Sequence, residues 1–185
     1  MKTWLRGVVG GALLGAFLFS VANARAVEHQ HELAVDVGTG ILAISDKSAP
    51  DVGPTFGIHY GYGITDMFNL AVEVHYTVLE LAVPTTGPPT LPGTMWNAAA
   101  GLQYVVDVMR WVPYLGALGG VYWMQGGTIG SYVQPGAQLT IGLDYLVTPK
   151  WAIGFEGSEH FLFTQMSVFP SYTTAFVRTM FLFGK

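Results

Sequence analysis

A period of two that returns in segment after segment constrains this chain more than any other feature, because it marks strands with two chemically different faces. In residues 69–81 the even positions are Leu70, Val72, Val74, Tyr76 and Val78, and the odd ones are Asn69, Ala71, Glu73, His75 and Thr77. An earlier segment sets Phe56, Ile58, Tyr60, Tyr62 and Ile64 against Thr55, Gly57, His59, Gly61 and Gly63. A later one sets Val133, Ala137, Leu139, Ile141, Leu143 and Tyr145 against Gln134, Gly136, Gln138, Thr140, Gly142 and Asp144, with Pro135 on the apolar face. The first segment runs Leu33, Val35, Val37 and Ile41 against Glu32, Asp36, Gly38 and Gly40, and the last puts Ala175, Val177, Phe181 and Phe183 opposite Thr174, Phe176 and Arg178. Residues 96–107 and 151–163 alternate less cleanly, and the Gly-rich residues 113–124 leave their facing open. Eight strands are predicted.

Short and longer connections alternate between these segments, as an antiparallel up-and-down barrel requires. The short ones are residues 65–67, 107–110 and 148–150; the longer ones are 45–53, 82–93, 126–130 and 165–170. Which face meets the solvent follows from chemistry. A soluble lipocalin-like barrel also alternates but turns its apolar face inward. Here the polar face carries Gly, Ala, Thr, Gln and few charges, too little for a hydrated exterior and well suited to a narrow packed interior. The apolar face is long, aromatic and almost free of charge, so lipid is its natural environment. Only 11% of the 185 residues are charged and 51% are hydrophobic, against about a quarter charged in soluble domains. Aromatic residues near strand ends form two expected girdles. Phe68, Tyr104, Trp111, Tyr145, Trp151, Phe181 and Phe183 belong to one, and Tyr76, Trp96, Trp123 and Phe161 to the other.

The N-terminus reads as a secretory signal: Lys2 and Arg6 precede an apolar run over residues 8–21, followed by Ala22-Asn23-Ala24 or Ala24-Arg25-Ala26 as small-residue cleavage sites. Residues 1–26 are therefore set apart as a Sec-type signal, with cleavage after Ala24 or Ala26, and residues 27–185 form one barrel domain. Cutting after Ala26 leaves five basic against twelve acidic residues, a net charge of −7. No basic patch remains for a nucleic acid. Cysteine is absent, which removes disulfides and thiol chemistry.

Two stretches carry a family likeness. Pro113-Tyr114-Leu115-Gly116-Ala117-Leu118-Gly119-Gly120 resembles the proline-tyrosine-glycine strand of OmpA-like and OmpX-like barrels of the opacity type. Gly61-Tyr62-Gly63-Ile64-Thr65-Asp66 with Asn69-Leu70-Ala71-Val72-Glu73 resembles their strand-turn-strand unit. Those barrels usually end on an aromatic residue, whereas this chain runs past Phe183 to Gly184-Lys185. The resemblance implies an eight-stranded transmembrane barrel of the Gram-negative outer membrane.

The alternation points Asp36, His59, Glu73, His75, Asp144, Glu156 and Arg178 inward, where an eight-stranded barrel has room for side chains only. A three-residue turn at residues 65–67 sets His59 across from Glu73; a five-residue turn sets it across from His75. The turn at residues 148–150 places Gly142 opposite Glu156. Arg178, the one basic residue inside the strands, is expected among Glu156, Glu73 and Asp36, because an unpaired buried charge costs several kcal/mol.

Catalysis has one candidate. Small outer-membrane barrels that modify lipid A use His with Ser and a carboxylate, and Ser158-Glu159-His160 holds those types. Ser158 and His160 share a face, however, and no His-x-Ser-Asn motif of the deacylase kind occurs. No enzyme activity and no cofactor are expected. Glu28-His29-Gln30-His31-Glu32 offers two imidazoles for weak metal contact but reads as the lead-in to the first strand, so no metal site is expected. The expected role is structural or interactive: a monomer among outer-membrane lipid and lipopolysaccharide, supporting envelope integrity or presenting loops to an extracellular partner. The alternatives are a lipid A-modifying enzyme and a narrow small-solute pore.

Overall fold

The computed structural model describes residues 28–45, 50–79, 93–106, 110–126, 130–164 and 166–184. The signal segment and most of the 82–93 connection lie outside them. Eight strands follow in order: β1 (His31–Ala43), β2 (Asp51–Gly63), β3 (Phe68–Val78), β4 (Thr94–Val105), β5 (Trp111–Gln125), β6 (Ser131–Thr148), β7 (Trp151–Leu162) and β8 (Ser171–Phe183). Each pairs antiparallel with its sequence neighbours, and β1 pairs with β8 to close the barrel. Closure removes the sheet edges, so every strand has a partner on both sides.

Threonine shapes two of the short turns in the same way. Thr65 Oγ1 accepts the backbone N–H groups of Met67 and Phe68 at 3.2 and 3.1 Å, and Thr148 Oγ1 accepts those of Lys150 and Trp151 at 3.2 and 3.1 Å. A hydroxyl that ties the chain back on itself holds the reversal tight and sets the register of the hairpin. The register at the first turn puts His59 opposite Glu73, and at the second Gly142 opposite Glu156. At the other end, pairing runs further than the sequence suggests: β2 begins at Asp51, opposite Leu42, inside the span read as a loop.

Facing follows the alternation. Leu33, Val35, Phe56, Ile58, Leu139, Ile141 and Phe155 are exposed on the outer wall, while Asp36, His59, Glu73, Gln138 and Arg178 are buried inside. The three less clear strands resolve as well, β7 burying Ala152, Glu156 and Ser158 and exposing Ile153 and Phe155. In β5, Tyr114, Leu118 and Tyr122 point inward and Leu115, Val121 and Trp123 outward; in β4, Asn97, Ala99 and Gln103 point inward and Trp96, Leu102 and Tyr104 outward. Aromatic rings gather on the outside at both ends. Phe68–Tyr104, Trp111–Tyr145 and Trp151–Phe181 stand 4.7–5.4 Å apart by centroid at the short-turn end, and Tyr76–Trp96 4.5 Å apart at the loop end. Trp96 and Tyr104 lie eight positions apart on β4, and Trp111 and Trp123 twelve apart on β5. At about 3.3 Å per residue and a tilt near 40°, these spacings bracket an apolar band about 25 Å tall.

Large inner side chains are accommodated by glycine on the next strand. A Cβ placed on Gly57 would meet the His75 ring, one on Gly142 the Tyr114 ring, and one on Gly154 the Asp144 carboxylate. In each case the register sets the pair directly opposite. The glycines of the polar face therefore make room for the charged interior.

Candidate functional site

The interior is layered. At the loop end Leu42, Leu79, Met95, Tyr122, Met124, Leu162, Phe169 and Tyr172 form a buried apolar cluster, with Ile44 packed against it. Phe169 comes from the β7–β8 connection and is 2% exposed. That connection is tied to the β1–β2 connection, since Ser45 N–H donates to Val168 O at 3.0 Å and Ser45 Oγ to Ser167 O at 2.6 Å. Beneath the apolar layer lies a ring of hydroxyls and imidazole. Tyr172 and Thr55 share hydrogen bonds with Thr77, at 2.6 and 2.9 Å, and His160 bridges Tyr122 and Thr174, each at 3.0 Å.

The charge layer comes next, centred on Arg178, which is 1% exposed. Its Nε donates to Asp36 Oδ1 at 2.7 Å and Nη2 to Asp36 Oδ2 at 3.2 Å, a two-point contact across the closing seam. Nη2 also lies 2.7 Å from Glu156 Oε2 and 4.0 Å from Glu73 Oε1. Nη1 donates to the Tyr114 hydroxyl at 2.8 Å, which in turn donates to Glu156 Oε2 at 2.8 Å. Glu73 is held from two further directions, by His59 Nδ1 at 3.0 Å and by Gln138 Nε2 at 2.6 Å. His75 Nε2 stands 3.5 Å from Asp36 Oδ2.

Six of the seven residues singled out from sequence thus meet: Asp36, His59, Glu73, His75, Glu156 and Arg178. Asp144 stands apart, nearer the short-turn end, where it lines a small cavity with Glu32, Asn69 and Gln103. Tyr114 and Gln138 join the network without having been singled out. Gln138 lay on the polar face, which was the available signal. Tyr114 lay in the Gly-rich strand, whose facing the alternation left open.

The Ser158-Glu159-His160 triplet does not assemble as a nucleophile and base. Ser158 Oγ bonds Thr140 at 2.9 Å and Glu156 at 3.3 Å, whereas both nitrogens of His160 are engaged by Tyr122 and Thr174. Glu159 faces the other side of the strand, accepting Ser171 and Thr173 hydroxyls at 2.7 and 2.6 Å. A serine nucleophile needs its base within hydrogen-bond reach, and the hydrogen bonds here run elsewhere. Among the described residues no three His, Asp or Glu side chains are grouped to hold a metal. In the lead-in, β1 already begins at His31, whose Nδ1 lies 2.7 Å from the Tyr60 hydroxyl and whose ring stacks on Phe183.

A closed antiparallel eight-stranded barrel with an apolar girdled exterior and its charges inside is a membrane-spanning barrel. The chain belongs to the outer membrane protein beta-barrel domain family, which matches residues 11–168. Comparison with curated proteins returns no match. Among solved structures the chain is similar to Neisserial surface protein A, with a TM-score of 0.63 and 17% identity over 84% of this chain and 97% of that one. It is also similar to the N-terminal β-barrel domain of Pseudomonas aeruginosa OprF, with a TM-score of 0.60 and 13% identity over 84% and 98%. The attachment invasion locus protein Ail of Yersinia pestis matches with a TM-score of 0.52 and 13% identity over 84% and 99%. At such identities the likeness is one of fold.

Proposed function

We propose that this barrel is a closed, non-conducting outer-membrane protein that stiffens the envelope and presents its loop end to an extracellular partner. The observation that carries this reading is the apolar cluster of Leu42, Met95, Met124, Leu162, Phe169 and Tyr172 above the Arg178 network. Ions crossing the lumen would have to pass an apolar layer and then the charged one centred on Arg178. The short turns and the N-terminal lead-in face the periplasm in this reading, and the longer connections face outward. The residues that carry the lipid A alternative are bonded in ways that leave no attacking serine.

Ail has been crystallised with the heparin analogue sucrose octasulfate. The loops of this chain suit a different partner, because Lys47 is the only basic residue among residues 44–50, 79–93, 126–130 and 163–170. Sulfate recognition rests on clustered Lys and Arg. Planar-bilayer recording of the purified full chain tests the closed state: rare, small current events are expected, and a steady ohmic conductance would instead establish the pore.

A further inference from the structure

We infer that the outer wall carries a seat for one anionic phospholipid, its acyl chain in a groove over β5, β6 and β7 and its phosphate at Arg110 and Lys150. Two rows of outward residues make the groove. Register sets Pro113, Leu143 and Phe155 side by side, and one step toward the loop end it sets Leu115, Ile141 and Gly157 side by side, with Tyr104 next to Leu115. The groove has a volume of about 670 Å³. Ligand sites usually measure about 300–1,000 Å³. Tyr104 and Phe155 stand at its flanks, and Gly157 leaves its far end open, since a Cβ there would meet only Thr174 O, at 4.0 Å.

Length selects the occupant. From Arg110 to Leu115 the chain advances five positions. At about 3.3 Å per residue and a tilt near 40° that is about 13 Å, half of an apolar band about 25 Å tall. The groove therefore spans one leaflet, which is the reach of an acyl chain and not of a membrane-crossing partner. Its lining is apolar along that whole length. The Trp111–Tyr145 ring pair, 4.7 Å by centroid, lies one register step nearer the short turns and marks the headgroup level.

Charge supplies an independent indication. Among the described residues the only lysines and arginines are Arg110, Lys150 and Arg178, and Arg178 is enclosed in the lumen. The other two are exposed and sit at neighbouring short turns. Arg110 O accepts the Leu146 N–H at 2.8 Å, which holds the β4–β5 connection against the end of β6, just before the turn that carries Lys150. Among the described residues neither side chain has a hydrogen bond or ion pair. Asp107, in the same connection as Arg110, lies outside them. Two cations at the open end of an apolar groove complement a phosphate joined to an acyl chain. That the lipid belongs to the periplasmic leaflet rests on the reading that the short turns face the periplasm.

Native mass spectrometry of the full chain, folded in detergent and stripped of lipid, tests the seat with phosphatidylglycerol and phosphatidylcholine of the same acyl chains. Each cation beside an anionic lipid contributes about fivefold, so one phosphatidylglycerol should bind with a preference of about twentyfold. Arg110→Gln combined with Lys150→Gln should remove that preference. Gly157→Phe should weaken both lipids by filling the groove, while Gly119→Phe, outward on β5 and clear of the groove, leaves them unchanged. Heat-modifiable gel migration verifies that each variant is folded. Equal affinity for the two lipids, a preference that survives the paired charge change, or binding indifferent to Gly157→Phe would overturn the seat. A dimer in detergent that Gly157→Phe breaks, seen by sedimentation, would overturn it in favour of a second copy of the chain. Orientation is read separately, because the chain has no cysteine and Asp66→Cys provides a single label. Its labelling by an impermeant maleimide in intact cells would overturn the leaflet and the periplasmic placement of the short turns, a failure distinct from loss of lipid selectivity.

Discussion

Asp36 and Arg178 face each other directly across the β1–β8 seam, 142 positions apart in sequence, joined by two hydrogen bonds of 2.7 and 3.2 Å. The pair exists only when the last strand has reached the first. Removing the cation would leave Asp36 and Glu156 buried and uncompensated, a loss worth about 3–5 kcal/mol. Arg178→Ala is therefore expected to lower the urea midpoint of the detergent-folded barrel strongly, as followed by tryptophan fluorescence. Unchanged stability would show that the arginine is not holding the lumen together.

Glycine at the inner wall can be tested by filling its space. Gly142→Ala would drive a methyl group into the Tyr114 ring, whose hydroxyl links Arg178 to Glu156. Overpacking of this kind costs about 1–3 kcal/mol. Gly119→Ala is the control, since a Cβ there meets nothing within 4 Å. Parallel denaturation should separate the two variants clearly.

The solvent of the outer wall is testable at Ile141, 63% exposed and near the middle of β6. Arginine at a bilayer midplane costs a transmembrane barrel about 2–4 kcal/mol, and much less near the interfaces. Ile141→Arg should slow or prevent folding into vesicles, while the same change at Val147, close to the short turn, should be mild. A soluble barrel would tolerate both alike.

Tyr172 separates packing from hydrogen bonding in the apolar layer. Tyr172→Phe keeps the ring in the cluster and loses the 2.6 Å bond to Thr77, a change of about 0.5–1.5 kcal/mol. Tyr172→Ala opens a cavity and is expected to cost about 3–5 kcal/mol. The gap between the two midpoints measures how much of the layer is packing.

Strand number, the facing of β1, β2, β3, β6 and β8, and the inward set around Arg178 could be read from alternation because Val, Ile and Tyr contrast with Gly, His and Glu at every second position. Contrast failed where small residues occupy both faces. Ala98, Ala99 and Ala100 in β4 and Gly116, Gly119 and Gly120 in β5 carry no polarity to compare, so Tyr114 escaped notice. The apolar layer was hidden for the opposite reason. Leu42, Met95, Met124 and Leu162 point inward yet look like lipid-facing residues, and only the register that brings them together identifies them. Phe169 gave no sign in sequence, because a single aromatic residue in a connection does not reveal that the chain folds back over the lumen.

The hydrogen bonds from Ser45 to Val168 and Ser167, with Phe169 sunk in the layer below, join two connections whose bonded residues lie 123 and 122 positions apart. Anything that recognises this end, an antibody or a receptor, reads a discontinuous epitope. A peptide copied from either segment alone would lack the neighbour that shapes it, and a change in one segment would register as altered recognition of the other.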